Sequence, residues 1–167
     1  RRYLQKELRP HLDDLPLINP LARIELPRLD ALPAEILEQW PVASDELLAA
    51  GTDALAELPI DHEVGPAGFD GGTEAARTTL KTFLDERFPH YADGRNHPDE
   101  DASSGLSPYL HFGHISTHDI LYEITRLEEW STDDLAEKAS GSREGWWNMS
   151  PAAESFLDEL ITWRELG

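Results

Sequence analysis

The sequence contains no cysteine among its 167 residues. Disulfide bonds, thiolate nucleophiles and cysteine-ligated zinc are therefore excluded. Stability has to come from apolar packing instead. The 40% content of hydrophobic residues and the five tryptophans predict a globular protein and not a disordered chain.

Long apolar runs are also lacking. No run approaches the roughly 20 residues that span a bilayer, and the opening residues RRYLQKELRP lack the apolar core of a signal peptide. We therefore expect a cytoplasmic protein without a membrane partner.

Positive charge is scarce, with 14 Lys+Arg against 33 Asp+Glu and a formal net charge of −19. Only Lys6, Lys81 and Lys138 are lysines. Such a charge repels nucleic acids and anionic membranes. It is also typical of an acidic surface suited to a salty cytoplasm, where dissolved salt would screen that repulsion. The charge alone therefore does not exclude a nucleic-acid partner.

Proline is concentrated in residues 1–69, which hold eight of the twelve prolines. No single helix or central strand accommodates that spacing, because proline lacks the backbone N–H that both need. Short helices fit between the prolines. We predict them at Ala34–Trp40 and at Asp45–Ala50, the second with Ser44 as its N-cap and Gly51 as its stop.

A hinge is predicted at GPAGFDGG, residues 65–72, because glycine and proline interrupt regular structure. We interpret residues 1–69 as a proline-rich, largely irregular interdomain linker arm that runs over another body of protein. Residues 70–167 then form a separate domain.

Helical periodicity dominates after the hinge, and no alternating strand pattern, hairpin signal or internal repeat is present. From Thr73, apolar residues recur on one face at a period of 3.6 until Pro89 ends the helix. The fold class predicted for residues 72–167 is all-α. The other predicted helices start at Ser107-Pro108 with Ser107 as N-cap, near Thr117, at Asp133 for a short helix to Ala139, and at Ser150-Pro151.

Three serines, Ser103, Ser104 and Ser107, stand directly before a predicted helix start. Their hydroxyl groups and the free backbone N–H groups of the helix start could together bind an anion. An ordinary capped loop explains the same residues, and the acidic run Asp99–Asp101 favours that explanation. The spacing leaves both interpretations open.

Three histidines, His111, His114 and His118, would share one face of a continuous helix and could then bind zinc or nickel. Gly113 is expected to break that helix. We therefore predict that the histidines do not form a metal site.

Glu159 lies beside the apolar face of the last predicted helix, whereas Asp158 and Glu165 are expected to face water. A carboxylate in that position is either paired with an arginine or functional, because burying it unpaired is too costly. Trp163 follows one turn later, and it is either a core residue, as Trp146 and Trp147 are expected to be, or part of an aromatic ligand pocket.

Two motifs together carry a resemblance to a known family. Residues 71–116 contain a tyrosine, an Arg-Asn-x-Pro step and the loop SSGLSPYLHFG, and Phe156–Leu166 reads FLDELITWREL. Both resemble the flavin-binding helical domain of the DNA photolyase and cryptochrome family. The proline-rich arm is similar to the linker that joins this domain to the family's α/β antenna domain.

The resemblance implies an FAD cofactor and a light-driven reaction. An electron from reduced FAD would split a cyclobutane pyrimidine dimer that is flipped out of damaged DNA. Glu159 would contact the dimer from a dry pocket, and Trp163 would pack against it. The residues implied to hold the pyrophosphate and ribose of FAD are Tyr91, Ser103, Ser104, Leu106 and Ser107.

Departures from the family pattern limit what this chain is expected to do alone. Residues 102–105, ASSG, replace the usual Gly-Thr-Ser-Arg and remove an arginine near the phosphates. About as much flavin domain again is expected to follow Gly167. We therefore expect an incomplete, inactive part that needs the remaining segments or another protein. The alternatives are a non-catalytic remnant that acts through protein contacts, a cryptochrome-type blue-light sensor, and a histidine-based metal protein.

Overall fold

The computed structural model describes residues 1–14, 16–17, 19–22, 24–49, 52–65 and 67–164. Every regular element in these ranges is helical and none is a strand, which confirms the all-α prediction. None of these helices has both the length and the apolar character needed to cross a membrane. The α-helices are α1 (Arg2–Glu7), α2 (Ala34–Gln39), α3 (Asp45–Leu48), α4 (Thr52–Ala56), α5 (Thr73–Thr82), α6 (Tyr91–Gly94), α7 (Ser107–His111), α8 (Thr117–Leu127) and α9 (Pro151–Leu157).

The chain divides into two compact units. One unit combines Arg1–Ile18 with Gly71–Gly167, and the other is Asn19–Asp70. The division into a linker arm and a flavin domain at residue 69 stays a prediction. The linker prediction did not include one feature of the structure: residues 1–18 belong to the same compact unit as residues 71–167.

The unit Asn19–Asp70 contains the two short helices predicted between the prolines. Helix α2 ends one residue before Trp40, and α3 covers Asp45–Leu48. The Ser44 hydroxyl accepts a 3.2 Å hydrogen bond from the Leu47 N–H, so the predicted N-cap is confirmed. The predicted helix end at Ala50 and the stop at Gly51 lie outside the described residues.

Helix α5 begins after Gly72, whose φ of +95° favours glycine. The apolar face predicted from Thr73 is buried and includes Ala76, Leu80 and Phe83. The chain stays helical to residue 90 but changes type, first to a π-helical turn at Phe83–Arg87 and then to a 3₁₀ turn at Phe88–His90. Pro89 is therefore accommodated in the 3₁₀ turn and does not end the helical path.

The core of the unit that combines Arg1–Ile18 with Gly71–Gly167 is aromatic. The Phe83 ring lies with its centroid 5.6 Å from those of Phe88 and Tyr91 and 4.9 Å from that of Phe156 on α9. The edge-to-face contacts of Phe83 with Phe88 and Tyr91 stabilise the core beyond the area that they bury. Trp146 and Trp147 are also buried, as predicted.

The predicted start of α9 is confirmed, because the Ser150 hydroxyl accepts a 3.2 Å hydrogen bond from the Ala153 N–H.

Some predicted details of the helices are wrong. Ser107 is the first residue of α7 and not its N-cap, which is Leu106. Leu127, predicted to be buried by the periodicity of α8, is 52% exposed because the helix ends there. Residues 133–139 form no helix beyond the 3₁₀ turn Thr132–Asp134. The Ala136 N–H instead donates to the Trp146 carbonyl at 3.0 Å, which draws the chain out of a helical path.

Helix α9 continues into a π-helical segment, Asp158–Trp163, and the two together form the last helix of the described residues. Asp158, predicted to face water, is buried with only 5% of its surface exposed. Its carboxylate accepts two hydrogen bonds from the Arg1 guanidinium, at 2.8 and 2.9 Å, and lies 3.5 Å from Nε of Arg143. The hydrogen bonds from Arg1 hold the pKa of Asp158 below its ordinary value. The prediction for Asp158 was wrong because its partner Arg1 is 157 positions away in sequence. Glu165, for which the same was predicted, lies outside the described residues.

Gln5 makes a second connection between α1 and the C-terminal part of this unit. Its amide nitrogen donates to the Ser142 carbonyl at 3.0 Å, and its amide oxygen accepts from the Gly141 N–H at 2.8 Å. These bonds join α1 to the segment before α9, and the Asp158 ion pair joins the start of the chain to the last helix.

We predict that Asp158→Asn lowers the free energy of unfolding by about 1 to 3 kcal/mol at neutral pH, because it leaves Arg1 and Arg143 without their carboxylate. A carboxylate with a lowered folded-state pKa stabilises the protein above its unfolded pKa, near 4, and loses that effect as pH falls through the folded value. The variant should therefore also lose less stability than the wild type as the pH falls below about 4.

Urea unfolding at several pH values measures both effects. Asp133→Asn, at an exposed aspartate with no ion pair among the described residues, is the matched control. Equal stability of the two variants at every pH would contradict the prediction.

Candidate functional site

An open cavity of about 970 Å³ lies between α6, the serine loop, α7 and the last helix. The serine loop is residues 103–107. Five residues singled out in the sequence line this cavity, although they come from two motifs about 50 positions apart. They are Tyr91, Ser103, Ser104, Ser107 and Glu159.

Two glycines, Gly94 and Gly105, shape the serine loop. A Cβ built on Gly94 of α6 would lie 2.7 Å from the Cβ of Ala102, so glycine allows the loop to approach the helix. Gly105 has a φ of +69°, which reverses the chain direction before α7. The Ser104 hydroxyl accepts a 3.3 Å hydrogen bond from the Leu106 N–H. Within the described part of the chain, the Ser103 and Ser107 hydroxyls make no hydrogen bond and are exposed.

Leu106 and Trp163 differ from the other predicted site residues. The Leu106 side chain is 1% exposed and belongs to the core, so only its backbone faces the loop. Trp163 does not line the cavity and is 52% exposed, with the Arg1 guanidinium 5.9 Å from its ring centroid. The structure therefore places Trp163 on the side of the last helix that carries the Asp158 ion pair.

Glu159 forms an ion pair with Arg95, whose guanidinium carbon also lies 5.8 Å from the centroid of the Tyr91 ring. The pairing of Glu159 with an arginine is one of its two predicted roles. Its side chain is 36% exposed, so the dry surroundings expected for it are not present among the described residues. Nε of Arg95 is buried and has no hydrogen-bond partner in the described residues.

The surroundings shift the pKa values of two residues in this group. Burial raises the pKa of the Tyr91 hydroxyl, and the hydrogen bond to Arg95 only partly opposes that shift. Burial also works against the charge on Arg95, but hydrogen bonds to Glu159 and Tyr91 outweigh it and raise the pKa of the guanidinium. Tyr91 therefore stays neutral and Arg95 stays charged at physiological pH.

The local charge of the cavity is opposite to that of the chain. Among the described residues that line it, two are arginines, Arg95 and Arg164, and one is a carboxylate, Glu159. Asp99–Asp101 are not among its lining residues. Exposed hydroxyl groups and guanidinium groups are donors that suit an anion such as a phosphate. The residues present therefore fit a phosphate group.

Four polar lining residues had no role in this site in the sequence analysis, where His111 was considered only as a metal ligand. They are Arg95, Asn96, His111 and Arg164. Arg95 and Asn96 form the Arg-Asn-x-Pro step that was used for the resemblance but given no role. Arg95 is four positions after Tyr91, so one helical turn brings its side chain beside the tyrosine. Arg164 belongs to the motif of the last helix and received no role either.

The three histidines are separated as predicted. His111 ends α7 and His118 lies in α8, while Nδ1 of His114 accepts a 3.0 Å hydrogen bond from the Gly72 N–H. In the described ranges, no group of three or more His, Cys, Asp or Glu side chains could hold a metal ion.

Curated proteins resemble this chain over most of its length. The chain is 36% identical over 112 residues to a deoxyribodipyrimidine photo-lyase of Potorous tridactylus, covering 66% of this chain and 18% of that protein. It is 29% identical over 167 residues to that of Arabidopsis thaliana, covering 99% and 28%. It is 34% identical over 114 residues to that of Methanothermobacter thermautotrophicus, covering 68% and 20%. The chain thus spans less than a third of the length of these relatives. No family model matches it.

We predict that Gly94→Ala destabilises the protein by about 1 to 3 kcal/mol, because the added methyl group overlaps the Cβ of Ala102 and the serine loop has to move. Thermal unfolding measures the effect. Gly65→Ala is the control, since its added Cβ meets nothing within 4 Å. A Gly94→Ala variant as stable as the control would contradict the packing described for the loop.

Proposed function

This chain belongs to the DNA photolyase family, and on that basis we propose that its cavity is part of an FAD site in a photolyase-like flavoprotein. The observation that carries the proposal is the convergence of two motifs on one cavity. The serine loop and the last helix are separate motifs in the sequence, and Ser103, Ser104 and Ser107 of the loop line the same space as Glu159 of the helix and Tyr91 of α6.

The donors of the serine loop suit the pyrophosphate of FAD. The Ser103 and Ser107 hydroxyls make no hydrogen bond among the described residues and can donate to phosphate oxygens. Ser104 is held in place by the Leu106 N–H, so Leu106 contributes through its backbone and its buried side chain. Tyr91 lines the same cavity and, because its pKa is raised, keeps a hydroxyl proton to donate.

The proposed reaction is the light-driven repair of cyclobutane pyrimidine dimers in damaged DNA. Reduced FAD, when bound, supplies the electron that splits the dimer. Glu159 would accept a hydrogen bond from the dimer, and its ion pair with Arg95 fixes the position of its carboxylate before a ligand arrives. Trp163 would need to turn toward the cavity to pack against a flipped lesion, because it does not line the cavity in this structure.

A DNA substrate is compatible with the charge of the chain only if the repulsion is screened or if the contact surface lies elsewhere in the protein. The net charge of −19 opposes binding at low salt. The described part of the cavity lining carries two arginines and one carboxylate, so a phosphate there meets a favourable local charge. We place the activity of the whole protein in the cytoplasm, and this chain would act there with further photolyase segments or another protein.

We predict that the double variant Ser103→Ala, Ser107→Ala binds FAD about tenfold more weakly than the wild type, because two hydrogen bonds to charged phosphate oxygens are lost. Fluorescence quenching of FAD during titration measures the affinity. Ser142→Ala, at an exposed serine outside the cavity, is the control and should bind as the wild type does.

Unchanged affinity of the double variant would remove the serine loop from the FAD site. Absence of FAD uptake by the wild type would instead support a photolyase-like helical remnant that acts through protein contacts.

A further inference from the structure

We propose that Arg1 is a positioning residue, which keeps Trp163 away from the cavity by holding the end of the last helix in a π-helical form. The segment Asp158–Trp163 is π-helical, and Arg1 contacts the residues at both of its ends. Without Arg1, the segment would take the ordinary α-helical form and carry the Trp163 ring to the cavity side. This inference concerns the helix itself and does not rest on the FAD site proposed above.

The first observation is that the helix type decides which residue lies beside Trp163. A π-helix bonds positions five apart, so Trp163 lies close to the side of Asp158. In an α-helix with about 3.6 residues per turn, positions five apart are separated by about 140° around the axis, and positions four apart by only about 40°. The α-helical form would therefore place Trp163 on the side of Glu159, which lines the cavity.

The second observation is that Arg1 bridges Asp158 and Trp163. Its guanidinium donates two hydrogen bonds to the Asp158 carboxylate, at 2.8 and 2.9 Å, and its carbon lies 5.9 Å from the centroid of the Trp163 ring. A bidentate pair fixes the plane of a guanidinium, and the face of that plane can then contact an aromatic ring. Because Asp158 is buried and Trp163 is half-exposed, the carboxylate anchors the guanidinium and the guanidinium orients the ring.

The third observation is that the segment itself gives no other reason for a π-helix, a form that is rare in proteins. The earlier π-helical turn, Phe83–Arg87, is followed closely by Pro89, whose missing N–H disturbs the α-helical hydrogen bonds. The segment Asp158–Trp163 contains neither proline nor glycine. The contact with Arg1, which comes from outside the segment, therefore accounts for its form.

The test follows Trp163 by nuclear magnetic resonance in the chain without added ligand. In the wild type, a nuclear Overhauser contact should join the Asp158 Hα to the Trp163 amide proton, because a π-helix brings positions five apart together. Arg1→Gln should lose this contact and gain contacts between the Trp163 ring and the Glu159 side chain. The indole N–H signal of Trp163, identified by its loss in Trp163→Phe, should shift as the ring leaves the guanidinium.

Arg143→Gln is the matched control, because Arg143 also pairs with Asp158, at 3.5 Å, and has no contact with Trp163 among the described residues. It should keep the wild-type contacts. Circular dichroism and urea unfolding verify that each variant is folded. If Arg1→Gln does not fold, Arg1→Lys takes its place, since lysine leaves Asp158 a cation but lacks the planar fork, and the same loss is expected.

The inference is overturned if the folded Arg1 variant keeps the contact between Asp158 and Trp163, if Arg143→Gln loses it equally, or if the wild type lacks it. Because no ligand is added, a failure of the proposed FAD site would leave these outcomes unchanged.

Discussion

The helical unit depends on the pairing of two carboxylates that stand next to each other on the last helix. Asp158 is buried and bonded to Arg1 and Arg143, and Glu159 is bonded to Arg95. Asp158 is the buried one of the two, and a buried carboxylate without a partner would destabilise the fold by several kcal/mol. The helix can therefore pack where it does only because Arg1 and Arg143 are present. Because the two side chains are held by different segments, the helix is fixed between the start of the chain on one side and the cavity on the other.

The distribution of charge separates the global from the local behaviour of the protein. The chain as a whole repels anions, and its net charge of −19 favours hydration and keeps molecules apart. Arg1, Arg95 and Arg143, however, pair with the two carboxylates of the last helix, and Arg95 and Arg164 line the cavity. Electrostatic interactions over short distances at a partly buried site are screened less than those between distant surface charges. A cavity for phosphate and an acidic surface are therefore compatible in one molecule.

The helices and the core could largely be predicted, because they follow from local patterns. The apolar period from Thr73, the caps at Ser44 and Ser150 and the separation of His111 from His118 all depend on residues near each other in sequence. The segment 133–139 was predicted to be a helix and is not, because a hydrogen bond from Ala136 to Trp146 overrides its local propensity.

The candidate site was predictable in its residues but not in its pairing. Tyr91 and the three serines line one cavity with Glu159, as the resemblance led us to expect. The ion pair between Arg95 and Glu159 and the burial of Asp158 join residues that are 64 and 157 positions apart. No spacing rule reaches across such distances, because they are set by tertiary packing. For Trp163, the position in the helix did not decide between the cavity side and the side that carries the Asp158 ion pair, and the structure shows the second.

The most direct test of the account is a titration of the wild-type chain with FAD, followed by flavin absorption and fluorescence at low and at high salt. The account predicts saturable uptake with one FAD per chain. It also predicts that uptake persists at high salt, because the donors act at short range within the cavity. No uptake at either salt concentration would contradict the account and would leave the cavity without the ligand that its donors suit.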